Sequence, residues 1–235
     1  MQNFHGAWPA LITPSTPDTG TGDPSETVNV NVLQELTTYL LEKDIGGLYL
    51  CGSTGEGLFM SVEERKLTLE VVMDQVKGHV PVIVHVGSVA TRDAVALSEH
   101  AQTMGADGIS SLLPTVAWQE ESTYLHYEAI AAAAPDLPFF AYLFGGQTDA
   151  VALMRELLMR IPNIAGAKYT GGDMYEFSHI VELRDNDWTV FSGRDQDCLY
   201  AAMVGAPANI GTTLNVMPGI YREIRKMYEA GDLPQ

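Results

Sequence analysis

The sequence predicts an α/β chain folded as a (β/α)8 barrel of the TIM type. Eight short apolar runs recur along the 235 residues, at 7–12, 47–51, 81–86, 108–112, 138–142, 164–168, 189–192 and 209–211. A helix's worth of sequence separates each run from the next, which is the alternation of a parallel sheet with crossover helices. Eight such units are the number at which the sheet closes. No linker or low-complexity tract interrupts them, so residues 1–235 read as one barrel domain.

The helices between the runs carry start and stop signals. Ser61-Val62-Glu63-Glu64 has the spacing of a capping box, opening a helix toward Val76 with Leu67, Val71 and Val72 at helical spacing. Thr91 is placed to cap the next helix, which Gly105 ends. Asp173 and Glu176 suit the positive N-terminal end of the helix after residue 168. Pro218 opens a last helix through Met227, and Gly231 closes it. Residues 15–25, rich in Thr, Pro, Gly and Asp, form a loop. The run AIAAAAP, 129–135, reads as helix packing.

Composition narrows the function. A hydrophobic content of 46% supports a sizeable core, and a formal charge of −17 argues against nucleic acid or an anionic membrane as partner. No apolar run is long enough to span a bilayer, and no basic segment followed by an apolar core marks a signal peptide. Two cysteines, Cys51 and Cys198, are too few for a disulfide framework, so a reducing cytoplasm is expected and both read as small core residues. The six histidines show no close metal-ligand spacing; His85 alone, ending the third run, is placed to line a site.

Barrel chemistry sits at the C-terminal ends of strands. After the second run comes CGSTGEG, where Ser53 and Thr54 offer hydroxyls in a glycine-flanked turn suited to a carboxylate. Tyr142 ends the fifth run and Lys168 the sixth. Gly193, Arg194 and Asp195 follow the seventh; Gly211, Thr212 and Thr213 end or follow the eighth. A lysine, a phenol and an anion nest on one face suggest Schiff-base chemistry. The amine attacks a ketone, and the iminium draws electrons from an adjacent C–C bond. Burial favours the neutral amine, and a phenol is suited to shuttling protons. Tyr169 and Tyr175 read as packing residues.

Four stretches carry a resemblance over essentially the whole chain: GAWPALITP, GLYLCGSTGEGLFMSVEERK, GAKYTGGDMYEF and GAPANIGTTLNVMPGIYREI. They resemble the dihydrodipicolinate synthase/N-acetylneuraminate lyase family of pyruvate-dependent class I aldolases. GSTGE and KYTGGDMYE lean toward the lyase branch. The resemblance implies a pyruvate Schiff base on Lys168, the pyruvate carboxylate held by Ser53 and Thr54, and proton transfer by Tyr142. It implies that Thr170, Gly193, Asp195, Gly211 and Thr212 contact the sugar-derived part of the substrate. No metal or organic cofactor is implied, and homotetramers are common in the family.

The chain departs from the family pattern in several places. Tyr142 is followed by Leu143-Phe144-Gly145, and Pro114 by Thr115 and Val116 with no phenol. Gln147 stands where the synthase branch usually carries an arginine, Gln196 where a lyase typically carries a glutamate, and Arg194 is unusual for the family and suited to recognising an anionic group. The family's C-terminal helical region is expected to be absent after Gln235. The first expectation is therefore lyase cleavage of a sialic or related sugar acid to pyruvate and an aldehyde sugar. A 2-keto-3-deoxy sugar-acid aldolase, a dihydrodipicolinate synthase and a catalytically weak keto-acid-binding barrel are the alternatives.

Overall fold

The structure, a computed structural model, describes residues 4–17, 20, 23, 27–113, 119–144, 149–184 and 188–232. Among the described residues, eight parallel strands alternate with eight α-helices. The strands are β1 Gly6–Pro9, β2 Leu48–Leu50, β3 Val82–His85, β4 Gly108–Leu112, β5 Phe139–Leu143, β6 Ile164–Tyr169, β7 Thr189–Ser192 and β8 Ala208–Gly211. The helices are α1 Val30–Leu41, α2 Val62–Val76, α3 Thr91–Thr103, α4 Glu120–Ala132, α5 Ala150–Arg160, α6 Met174–Glu182, α7 Cys198–Met203 and α8 Pro218–Glu229.

The strands pair in the order β1-β8-β7-β6-β5-β4-β3-β2. The ring closes where Ala10 bridges Tyr49, with Leu11 N–H donating to the Tyr49 carbonyl at 2.8 Å and Gly46 N–H to Ala7 at 2.8 Å. The first strand is therefore shorter than the run at 7–12. Beyond Pro9, Ala10 N–H still reaches Gly211 of β8 at 2.9 Å, and Leu11 N–H then crosses the seam to β2.

Side chains alternate between the two faces of each strand. One apolar cluster fills the barrel: Phe4, Trp8, Tyr49, Ile83, Phe140, Tyr142, Phe191 and Ile210 are among its members. A larger one lies between strands and helices, including Leu48, Leu50, Val82, Val84, Phe139, Ala141, Ala167 and Tyr169. Edge-to-face contacts of Phe4 with Phe140 (5.2 Å), Phe140 with Phe191 (5.5 Å) and Trp8 with Phe191 (5.4 Å) pack the interior. Register then matters: Lys168 pairs with Tyr142 on one side and Phe191 on the other, so all three point inward at one level.

Most local signals behave as read. The capping box at Ser61 forms in full. Asp173 caps α6, accepting from Tyr175 N–H at 2.9 Å and Glu176 N–H at 3.1 Å. Pro218 is the first residue of α8, which runs to Glu229 rather than Met227. Two readings are corrected. Thr91 is the first helical residue, not the cap; its hydroxyl pairs with His126 Nδ1 at 2.9 Å instead. In α2 the buried stripe is Arg65, Thr68, Leu69, Val72 and Val76, with Leu67 and Val71 at its margin. The apolar spacing missed this because an arginine and a threonine take part.

Candidate active site

Lys168 is only 4% exposed, inside the barrel at its C-terminal mouth. Its Nζ lies over the Tyr142 ring, 3.9 Å from the centroid, and over the Tyr49 ring at 4.4 Å. No carboxylate forms an ion pair with it among the described residues. Burial pushes the amine's pKa down; the nearby Tyr142 phenol and Asp195 carboxylate offset this only in part. The phenol answers in kind. Burial would raise the Tyr142 pKa, but the Lys168 charge, aided by Ser53, Lys168 itself and Thr170, outweighs it and brings the net value below the ordinary tyrosine range. The lysine's charge eases proton loss from the phenol, while the phenol favours the protonated amine, so the two titrations are coupled.

Ser53 Oγ stands 3.4 Å from the Tyr142 hydroxyl. Cys51 takes a left-handed φ of 54°, which swings the chain out of β2 into the Gly52-Ser53-Thr54 turn. Carbonyls of Gly52 and Ser53 accept from Gly57 and Glu56, while the N–H groups of Ser53 and Thr54 have no acceptor among the described residues. Two N–H donors without an acceptor among the described residues and two hydroxyls thus lie together in this turn. Thr54 Oγ1 meets Thr212 Oγ1 at 2.7 Å, tying this turn to the loop after β8.

On the opposite side of the amine lies Asp195. Its Oδ2 accepts from Thr213 N–H at 2.9 Å and from Thr213 Oγ1 at 2.8 Å. Its Oδ1 is buried without a partner. Gly211 has to be glycine here, since a Cβ would sit 1.4 Å from that oxygen. Thr170 Oγ1 is likewise buried and unpartnered; it is near enough to influence Tyr142 yet makes no hydrogen bond of ordinary geometry. Gly193 serves the backbone, its N–H donating to Tyr169 at 2.7 Å. Thus Lys168, Tyr142, Ser53, Thr170 and Asp195 converge, while Thr54 with Thr212 and Gly193 with Gly211 shape the rim.

Three contributors carried less signal. Tyr49 floors the amine and donates to Ser110 Oγ at 3.1 Å, but Leu-Tyr-Leu reads simply as apolar strand. His85, marked only by its strand end, is fully inside: Leu112 N–H faces its Nε2 at 3.1 Å and the Cys51 carbonyl faces its Nδ1 at 3.1 Å. A backbone N–H only donates, so Nε2 is the acceptor and Nδ1 carries the proton. Arg65, in the first turn of α2, is 3% exposed and donates to the carbonyls of Gly87 (2.9 Å) and His85. Tyr169 packs outside the barrel, its hydroxyl donating to Glu176, and Tyr175 is exposed against His179. Cys51 and Cys198 are free and buried. Pro114, Thr115, Val116, Gly145 and Gln147 lie outside the described residues. Among the described residues no three His, Cys, Asp or Glu side chains gather as metal ligands, and no helix is long and apolar enough to cross a membrane.

The model of the dihydrodipicolinate synthetase family matches residues 3–235. The chain belongs to that family. A 4-hydroxy-tetrahydrodipicolinate synthase of Nitratidesulfovibrio vulgaris is 33% identical, over 98% of this chain and 77% of the relative. An N-acetylneuraminate lyase of Citrobacter koseri is 30% identical, over 99% of this chain and 76% of its own. Among solved structures, a catalytic lysine mutant of the Ruminococcus gnavus sialic acid aldolase superposes with a TM-score of 0.89 at 28% identity, over 98% of this chain and 75% of that one. The family member at hand thus has relatives in both branches at similar identity, and its fold is that of the sialic acid aldolases.

Proposed function

We propose that this family member is a Schiff-base aldolase that cleaves a sialic or related sugar acid to pyruvate and an aldehyde sugar. The observation that carries the reading is the Lys168 amine: buried, in no carboxylate ion pair among the described residues, and held between the faces of Tyr49 and Tyr142. Removal from water favours its neutral, nucleophilic form. The related Ruminococcus gnavus sialic acid aldolase, which has a catalytic lysine, supports the same role.

The steps follow from the groups present. The substrate carboxylate lies on the open N–H groups and hydroxyls of Ser53 and Thr54. The Nζ lone pair attacks the keto carbon while Tyr142 protonates the departing carbonyl oxygen. Loss of water leaves an iminium. The C3–C4 bond then breaks, its electron pair moving toward the iminium nitrogen to give an enamine. The C4 hydroxyl surrenders its proton to the Tyr142 phenolate and becomes the aldehyde. Protonation of C3 and addition of water release pyruvate and restore the amine. Ser53, 3.4 Å from the phenol, supports its changes of charge. Beyond the amine, Asp195 Oδ1 and Thr170 Oγ1 are buried oxygens without a partner, assigned here to the sugar hydroxyls, with Gly193, Gly211 and Thr212 shaping the same rim. One barrel domain working in a reducing cytoplasm, without metal or organic cofactor, completes the reading.

Incubation with pyruvate and borohydride tests it, because reduction converts an iminium into a stable secondary amine. Mass mapping is expected to place the adduct on Lys168, and Lys168→Ala to abolish it together with turnover. An unmodified Lys168 in a protein shown to be folded overturns the proposal and favours a keto-acid-binding barrel without turnover.

A further inference from the structure

We propose that Arg194 forms a subsite for an anionic group at the far end of the substrate, so that the aldehyde product carries a carboxylate or phosphate remote from its carbonyl. The inference rests on the aldolase reading and narrows its substrate class.

Arg194 follows β7 directly, and its side chain folds back over the loop after β6: a Cβ on Gly172 would lie 2.4 Å from its Nη1. The guanidinium therefore spans the two loops nearest the amine-bearing strand. One edge is fixed. Nε lies 3.0 Å from Asp197 Oδ2. With the Gln196 amide oxygen turned toward it, that oxygen accepts from Nε at 3.0 Å and Nη2 at 2.7 Å. Nη1 has no acceptor among the described residues, and the side chain is 35% exposed. An arginine held on one edge and open on the other has already lost much of the rotamer freedom that binding an anion removes. Its N–H groups match the oxygens of a carboxylate or phosphate.

Placement supplies the rest. The nest for the keto-acid carboxylate sits on β2, tied to β8 through Thr54 and Thr212. In the ring order β2 and β6 are four strands apart, on opposite sides of the barrel. A substrate anchored at Ser53 and Thr54 and bonded to Lys168 thus extends toward β6 and β7. It meets the unpartnered Thr170 and Asp195 oxygens first and Arg194 last. Hydroxyls suit the first two. Asp195 alone would repel a distal anion, and the free edge of Arg194, held on its other edge by Asp197, supplies the N–H donors that an anion needs there.

The test is condensation of pyruvate with matched aldehydes: glucose against glucuronate, and glyceraldehyde against glyceraldehyde 3-phosphate. The wild-type chain is expected to favour the charged member of at least one pair by about 10-fold or more in kcat/KM, the range of a charge-assisted hydrogen bond. Which pair responds separates carboxylate from phosphate. Arg194→Gln is expected to collapse the ratio through KM for the charged aldehyde, Arg194→Lys to retain part of it, and added salt to shrink it. Equal use of both members by the wild-type chain, or an equal loss for both in Arg194→Gln, overturns the subsite. Borohydride trapping of pyruvate runs in parallel. An adduct with no preference removes the subsite alone, whereas no adduct removes the aldolase reading and the subsite with it.

Discussion

Replacing His85 by leucine isolates a residue that touches no substrate yet holds three parts of the site. Its Nδ1–H anchors the Cys51 carbonyl, its Nε2 receives the Leu112 N–H, and its ring stands edge-on to Tyr142 at 6.1 Å. Leucine keeps apolar volume but leaves a buried carbonyl and a buried N–H unpaired. Each such group costs about 1–3 kcal/mol, so the variant is expected to lose roughly 2–6 kcal/mol near neutral pH. For a chain of this size each kcal/mol moves Tm by about 2–4 °C. The loss should also reach function. Freed from His85, the Cys51 carbonyl no longer fixes the left-handed turn that presents Ser53 and Thr54, so KM for pyruvate should rise. His85→Asn, which restores the donor on the Nδ1 side, should recover KM better than His85→Gln, which restores only the acceptor.

The same residue makes a pH prediction whose sign is fixed. Burial first, then the charges of Arg65 and Lys168, hold the folded-state pKa of His85 well below its ordinary value. Above about pH 6.5 the histidine is neutral folded and unfolded, and contributes no pH slope. Below it the unfolded chain binds a proton that the folded chain refuses. Wild-type stability then falls by up to about 1.4 kcal/mol per pH unit until the folded pKa is reached. The leucine variant lacks this loss. Urea unfolding of both proteins between about pH 7.5 and pH 5 should show the gap narrowing as the pH falls. A gap independent of pH would refute the neutral, doubly engaged histidine.

Tyr142→Phe should lower kcat by about 10²–10⁴-fold while pyruvate is still trapped on Lys168, as borohydride mapping will show; unchanged kcat would remove the proton shuttle. Lys168→Met should abolish turnover yet raise Tm at neutral pH, since the amine's lowered pKa means its charged form is disfavoured in the fold. That gain should fade as pH approaches about 10.4, where the unfolded lysine also loses its proton. Ser61→Ala should cost about 1 kcal/mol, read as a Tm drop of roughly 2–4 °C, because it removes half of the capping box that opens α2. KM for pyruvate should vary little between about 0.05 and about 0.5 M salt, because its nest is built of local dipoles; a steep rise would point to long-range attraction instead.

Much of the barrel was legible because the strands are short, apolar and evenly spaced, and a parallel sheet covered on both faces demands that. Lys168 and Tyr142 stood out because a polar residue ending such a run has few structural reasons to be there. Strand ends were less sharp, since residues 10–12 keep apolar character while Leu11 N–H crosses to β2 and Ile12 N–H turns to the Asn215 side chain. Tyr49 and Arg65 were hidden for opposite reasons. Tyr49 looks like its apolar neighbours, and only register shows that it faces Lys168. Arg65 looks like a solvated helix residue, and only packing shows that α2's first turn lies over the ends of β2 and β3. His85 gave one clue, its strand end, and nothing in its neighbours disclosed which atoms it would join.

Arg65 also bears on how a chain with a formal charge of −17 receives an anion. Surface carboxylates act through water and salt, and their fields fade over about 8–10 Å. Arg65 acts from within. It is buried against backbone carbonyls rather than a carboxylate, so its charge is solvated but not cancelled. It stands close enough to lower the Cys51 and Tyr49 pKa values against their burial, and to help keep His85 neutral. Its positive potential therefore falls on the turn that carries Ser53 and Thr54, where only neutral donors meet the substrate. A lysine in that turn would bind a carboxylate more strongly, but it would also compete with Lys168 for it and pull the Tyr142 phenol further toward its anion. Placing the permanent charge one layer down, and leaving dipoles at the surface of the site, attracts the carboxylate while the one amine in contact with it stays free to react.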